Sequence, residues 1–212
     1  MPLEFSPELE RHCHVFLQAQ GHADSAHDLN HIYRVVNVAK KLALEEDADL
    51  AVVVPAAWLH DCVSLPKNHP ERHLASTLAG DRAISFLVSI HYPSEYYDAI
   101  HHAIRAHSFS ANVLPNTLEA KIVQDADRLD ALGAVGIARC MQVSGALNRP
   151  LYSLDDPFCE MREPDDTLYS IDHFYSKLFQ IADSLNTPSA QLEARRRKEV
   201  MQIFLRDLAL DI

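Results

Sequence analysis

The stretch Ala51-Val-Val-Val-Pro-Ala-Ala-Trp-Leu-His-Asp61 is apolar on every side as far as Leu59, then ends on an imidazole and a carboxylate. A helix without a polar face must be surrounded by other elements, so this stretch reads as the central helix of an all-α core. Pro55 inside it predicts either a kink or a later helix start, and the sequence leaves both open. His60 and Asp61, at the inner end of an apolar element, need partners, and a metal ion would supply one to both. Neighbouring residues on a regular helix diverge, so the two converge on one ion only where the backbone loosens. Cys62-Val-Ser-Leu-Pro66 supplies that break.

Helices are expected on both sides of this centre. The chain has only 5 glycines, many Ala and Leu residues, and no Val/Ile/Thr runs bounded by paired turn signals. The pattern predicts helices from about Pro7 to Gln20, Asp28 to Glu46, Asp49 to Asp61, Pro70 to Ile90, Ser94 to Ala106, Thr117 to Gln142, Asp172 to Leu185 and Ser189 to Leu210. In the second of these, His27, His31, Val35, Val38 and Leu42 recur at spacings of three and four, which turns both histidines inward. In the sixth, Thr117 is the expected cap. There Asp127 borders the row Leu118, Ile122, Ala126, Leu129 and Gly133, whereas Asp125 is expected to point outward. His31 and Asp127 thereby join His60 and Asp61 as candidate ligands.

With 212 residues the chain is long enough to bury about 70% of its unfolded surface. One domain over residues 1–212 is expected, its core running from about 27 to 185 and a C-terminal helix of about 189–210 packing on it. Between Val143 and Ser170 the prolines 150, 157 and 164 interrupt any period, and long structureless segments are often lids; this one is expected to cover the site. The composition is 48% hydrophobic and 23% charged, that of a globular protein, and the net charge of -11 argues against polymeric nucleic acid as a partner. The basic run Arg195 to Lys198 reads as a solvated face supported by Glu193–Arg197 and Arg195–Glu199 pairs. On the same helix Met201, Phe204, Leu205 and Leu208 read as core. Cys13, Cys62, Cys140 and Cys159 are widely spaced, so they read as packing residues in a reducing compartment. With neither a basic-then-apolar leader nor a run of roughly 18 apolar residues, the expected location is the cytoplasm, without a membrane partner.

His31, then His60-Asp61, then Asp127 resembles the H...HD...D signature of the HD phosphohydrolase superfamily. The stretches His27-Asp-Leu-Asn-His-Ile-Tyr-Arg-Val35, Ser64-Leu-Pro-Lys-Asn-His-Pro70, His107-Ser-Phe-Ser110, Asp125-Ala-Asp-Arg-Leu-Asp-Ala-Leu-Gly133 and Asp172-His-Phe-Tyr-Ser-Lys-Leu178 resemble its bacterial YedJ-like branch. The resemblance covers about His27 to Leu185. It implies a helical bundle, a divalent metal held by His31, His60, Asp61 and Asp127, and hydrolysis of phosphate esters, with a nucleotide or another small phosphorylated molecule as substrate. Two imidazoles and two carboxylates suit Mn, Fe, Ni, Mg or Zn. Such an ion lowers the pKa of water towards neutrality, and Asp61, ligand and nearby base together, is expected to take the proton.

Around these four residues, Lys67 is the candidate for stabilising charge on the phosphate, ahead of His69 and Arg72. His102 and His107, in a chain with 13 histidines, are either substrate-side or second-metal residues, or structural ones. His27, Arg34 and Arg128 are expected behind the ligands, holding them in place, with Arg128 alternatively pairing with Asp130. His173 and Lys177 share a helix face from which they would close the site. Two other readings use the same scaffold: a di-iron oxygenase, and a non-catalytic nucleotide-binding regulatory module. Nucleophile and P-loop signatures (G-x-S-x-G, G-x-x-x-x-G-K-[ST], H-E-x-x-H) do not occur in the sequence. Oligomeric state has no signal in the sequence.

Overall fold

The structure, a computed structural model, describes residues 7–20, 29–63, 65, 69, 71–108 and 111–212. The fold is all-α, with no strand among the described residues. The helices are α1 (Pro7–Gln20), α2 (Leu29–Glu45), α3 (Leu50–Leu59), α4 (Ala75–Ser89), α5 (Tyr97–His107), α6 (Leu118–Asp130), α7 (Gly133–Ala146), the short α8 (Phe179–Ala182) and α9 (Pro188–Asp211). Short 3-10 turns, Arg72–Leu74 and Ser94–Tyr96, lead into α4 and α5, and a π-helical turn, Phe174–Leu178, leads into α8. The chain divides into two compact units, Met1–Asp127 and Arg128–Ile212. No described helix is long and apolar enough to cross a membrane.

In the first unit α3 is the centre, packed against α1, α2, α4 and α5. All of its residues from Ala51 to Leu59 are buried, and each large apolar side chain so buried contributes about 1.5–3 kcal/mol. Asp49 caps the helix by accepting from the Ala51 N–H at 2.8 Å. Pro55 neither kinks the helix out of existence nor delays its start: α3 runs through it. A proline at this position cannot donate to the carbonyl four residues earlier, that of Ala51. The buried hydroxyl of Tyr92 donates to that carbonyl instead, at 2.6 Å, so the helix passes a proline without an orphaned acceptor. Trp58 is likewise satisfied, its indole N–H donating to Glu10 on α1 at 3.1 Å.

The expected long helix from Thr117 to Gln142 is instead two. Thr117 caps the first as anticipated, accepting from the Ala120 N–H at 3.1 Å. The chain then turns at Leu132, and Gly133 begins α7 with φ +69°, a left-handed conformation that costs glycine little. A Cβ on Gly133 would also press on the Arg197 side chain, 3.2 Å from its Cγ. Arg197 is not part of a solvated face: at 17% exposure it donates to Glu193 and, at 2.6 Å, to the Leu129 carbonyl. A cation at the carbonyl end of α6 is favourably placed. Arg196 does lie in solvent and pairs with Glu193, while Lys198 reaches Asp183. Met201 and Leu205 are buried as core residues.

The irregular stretch that follows α7 is tied by a partly buried ion pair. After Ala146 the chain forms no regular helix until Asp172, yet it is closely tied. Arg162 grips Asp172 through both guanidinium nitrogens at 2.5 and 2.7 Å, and the Asp165 N–H donates to the same carboxylate at 2.6 Å. Burial raises the Asp172 carboxyl, but these donors outweigh it and hold the group below its usual range. Asp156 accepts the N–H groups of Glu160, Met161 and Arg162, and the bonds from Ser170 to Pro150 and Ile171 to Leu151 close the base of the loop. The Cys13, Cys62 and Cys140 thiols are free and buried, as expected of packing residues, and Cys159 is free and half-buried.

Tyr92→Phe removes only the hydroxyl that serves the Ala51 carbonyl and is expected to cost about 1–3 kcal/mol, the penalty of a buried unsatisfied acceptor, measured by urea denaturation. Glu193, held down to about 2 chiefly by its hydrogen bond to Arg196 and further by Arg197, contributes stability that is complete above its unfolded pKa of about 4.3 and is lost as pH falls through about 2. Glu193→Gln is therefore expected to lower stability at pH 7 by about 1 kcal/mol, with the gap to wild type closing in denaturation curves taken at progressively lower pH.

Candidate metal centre

Three helices of the first unit, α2, α3 with the turn that ends it, and α6, bring four side chains to one place. His31 comes from the inward stripe of α2, where Ile32, Val35, Val36, Ala39 and Leu42 are buried with it. His60 is the residue that ends α3, and Asp61 follows in the turn. Asp127 comes from α6. His31 Nε2 lies 3.4 Å from Asp127 Oδ1 and 3.9 Å from Asp61 Oδ2. His60 Nε2 lies 3.5 Å from Asp61 Oδ2 and 3.9 Å from Asp127 Oδ1. Two donors each about 2.1 Å from a common ion stand roughly 3 to 3.5 Å apart, so the four groups have the spacing of a slightly open ligand set.

His60 gives the clearest chemical sign. Its Nδ1 is 2.8 Å from the Ala57 carbonyl; a carbonyl only accepts, so Nδ1 carries the hydrogen and Nε2 presents a lone pair. That nitrogen is buried and has no hydrogen-bond partner among the described residues. Burial, the largest influence, pushes the imidazole pKa down, which keeps the lone pair available. An imidazole whose far N–H is tied to a backbone carbonyl while its other nitrogen faces carboxylates is the arrangement of a metal ligand. The donors present, buried imidazoles with two carboxylates only 20% and 30% exposed, therefore fit a divalent cation, and His31, His60 and Asp127 lie within 4.8 Å of one another.

His107, left open by the sequence, also joins this cluster. It ends α5 and is buried, with Nδ1 2.6 Å from the Ile104 carbonyl and Nε2 3.4 Å from Asp61 Oδ1. With His60 and Asp61 it forms a second group of possible ligand atoms within 4.8 Å. Burial pulls its pKa down, but the hydrogen bond and charge of Asp61 outweigh that and raise it to about 8. Its place is legible in hindsight, because Ile100, Ala103, Ile104 and His107 continue one buried row of α5. His102 lies off that row, outside both ligand groups, and its Nε2 accepts from the Asn116 N–H at 3.2 Å.

One other expectation needs revision. Asp125 does not point outward: it is 0% exposed, because it falls three residues after Ile122 and four before Leu129 on the buried row of α6. Arg128 donates to the Ser184 carbonyl at 2.9 Å, and Asp130 pairs with Arg139 at 2.7 Å. Arg34 sits half-buried on α2, one turn beyond His31. His173 is held by Asp166 at 2.6 Å in the second unit. His27 and Lys67 lie outside the described residues.

The HD domain family model matches residues 28–132, a span that contains all four candidate ligands and His107. The Bacillus subtilis protein YpgQ is 35% identical over 192 residues, covering 89% of this chain and 85% of its own. Among solved structures, an HD-superfamily hydrolase from Bacillus thuringiensis superposes with a TM-score of 0.75 at 31% identity, covering 96% of each chain. A structure of B. subtilis YpgQ in complex with ADP superposes with a TM-score of 0.71 at 31% identity, again covering 96% of each chain. The chain belongs to the HD superfamily.

His31→Ala and Asp127→Ala each remove one donor from the edge of the core. Each is expected to lower divalent-metal retention by at least tenfold, read by elemental analysis after dialysis, while the helical circular dichroism stays at the wild-type level. Full metal content in either variant would remove that residue from the ligand set.

Proposed function

We propose that this protein is a metal-dependent phosphohydrolase that holds a divalent cation through His31, His60, Asp61 and Asp127 and cleaves a phosphate ester of a nucleotide or another small phosphorylated molecule. The observation that carries the reading is the convergence of the His31 imidazole and the Asp61 and Asp127 carboxylates on the buried Nε2 of His60, which has no hydrogen-bond partner among the described residues. A divalent ion bound there supplies a lower pKa for water and neutralisation of charge on the phosphoryl oxygens. Asp61 is the proposed base: its carboxylate, more exposed than the imidazoles beside it, accepts the proton of the attacking water. Asp127, whose Oδ1 faces the Nε2 atoms of both His31 and His60, is the proposed second carboxylate ligand. On the sequence alone, Lys67 is the proposed cation for the substrate phosphate.

A nucleotide is the favoured class because the related YpgQ has been crystallised with ADP, and because a chain of net charge -11 suits a small anion neutralised locally better than a polymer. The test is phosphate release from a panel of nucleotides and phosphorylated metabolites, with Mn, Ni, Fe, Mg and Zn each supplied, comparing wild type with Asp61→Ala. Metal-dependent turnover that falls by at least a hundredfold in the variant is the expected result. Tight nucleotide binding with no turnover under any metal would replace the hydrolase with a binding module, and equal turnover in both proteins would remove Asp61 from the chemistry.

A further inference from the structure

We propose that the first turn of α4 and the last turn of α5 form an anion site separate from the metal cluster, in which Ser76 and Arg105 hold one phosphate group. The inference goes beyond the hydrolase reading and stands without it, because none of the four candidate metal ligands takes part.

The geometry follows from how α4 and α5 meet. The two helices are joined by the short stretch 90–96 and pack side by side, so they run antiparallel. They touch at Gly80 and His101: a Cβ on Gly80 would lie 2.9 Å from His101 Cδ2. Ser76 is four residues before Gly80 and Arg105 four residues after His101, so each stands one turn along the contacting face of its own helix. In an antiparallel pair those two steps run the same way, which brings Ser76 and Arg105 to the same level. Ser76 is 4% exposed, yet its hydroxyl has no hydrogen-bond partner, and the buried Nε of Arg105 has none either.

Charge decides what kind of group answers these two donors. The Arg105 side chain enters no ion pair among the described residues, whereas Arg139, Arg162 and Arg197 are each matched to a carboxylate. Asp81, beside Gly80 on α4, is bonded to His101 at 2.9 Å. The 15-residue α4 begins without a side-chain cap and without an acid in its first turn, and the N-terminal end of a helix carries partial positive charge. A buried guanidinium nitrogen without an acceptor is costly. Water would give it an oxygen but no charge, whereas a phosphate group gives acceptors to the hydroxyl and the guanidinium together and charge to the arginine and the helix end. The metal cluster lies on another side of α5: His107, two residues beyond Arg105, faces Asp61 at 3.4 Å, and helix positions two apart do not share a face.

The experiment is calorimetric titration of the metal-free full-length protein at constant ionic strength with inorganic phosphate and, separately, with ADP. The proteins are wild type, Arg105→Met, Arg105→Lys, Ser76→Ala and His31→Ala, each checked for helical circular dichroism. Wild type is expected to bind one anion per chain. Arg105→Met keeps the apolar stem and removes the charge; it is expected to weaken binding by at least about tenfold, and Ser76→Ala by about fivefold, while His31→Ala binds as wild type does. Arg105→Lys keeps the charge without the planar fork and is expected to fall between wild type and Arg105→Met; it serves as the test should the methionine variant not fold. Whichever probe binds wild type and loses affinity in the Arg105 variants names the source: inorganic phosphate for a free anion, ADP alone for a phosphate carried by a nucleotide. Affinity within twofold of wild type in the folded Arg105 or Ser76 variants overturns the proposal. Binding lost in His31→Ala but kept in Arg105→Met overturns it by moving the anion to the metal cluster. A wild type that binds neither probe overturns it too, leaving the space between Ser76 and Arg105 to water alone.

Discussion

Burial of α3 on every side is the constraint from which the first unit follows. A ten-residue helix with no polar face can exist in water only if other helices cover it, and α1, α2, α4 and α5 do so. Because it is central, the residue at its end is delivered to the interior: His60 is 0% exposed. The same burial makes each polar atom along the helix consequential. The carbonyl freed by Pro55 is taken by Tyr92, the Trp58 indole by Glu10, and the His60 Nδ1–H by Ala57. What is left over is the Nε2 of His60, and the carboxylates of Asp61 and Asp127 are what the fold sets beside it.

The cluster shows how a site is made from elements that are individually ordinary. His31 and His107 each continue an apolar row of their own helix, α2 and α5, so the packing that buries those rows also aims the imidazoles inward. Asp61 differs in sitting beyond the regular helix. Its carboxylate can therefore face donors from two helices, with His31 and His60 near one oxygen and His107 near the other. Two of the imidazoles, those of His60 and His107, are tied through Nδ1 to the carbonyl three residues earlier on the same stretch of chain. Backbone and not side-chain partners thereby fix the rings, which leaves the two carboxylates as the adaptable members of the set.

The second unit combines a buried apolar core with arginine ion pairs. Arg197 links the carbonyl end of α6, at Leu129, with Glu193 on its own helix. Arg162 and Asp172 fasten the extended stretch that follows α7. Each is an arginine with more than one acceptor in a partly buried place, the setting in which a guanidinium ion pair is worth more than the small amount typical of the surface. Sequence pattern alone made Arg197 look like a member of a solvated run, because a run of four basic residues does not show which of them turns inward.

The all-α class, the central place of residues 51–61 and the convergence of His31, His60, Asp61 and Asp127 were legible in the sequence, since apolar period and residue chemistry are local properties that survive without coordinates. Other features were decided only by tertiary structure. Whether Pro55 broke its helix depended on a hydroxyl from Tyr92, 37 residues further along the chain. The division between α6 and α7 depended on Gly133 adopting a positive φ beside Arg197. Asp125 was placed outside the apolar row of α6 and is buried all the same, and His107 was separated from His102 only when the direction of α5 was known. The physical reason is the same in each case. A sequence specifies which groups must find partners, but the partner is chosen by whichever distant group the packing brings within about 3 Å.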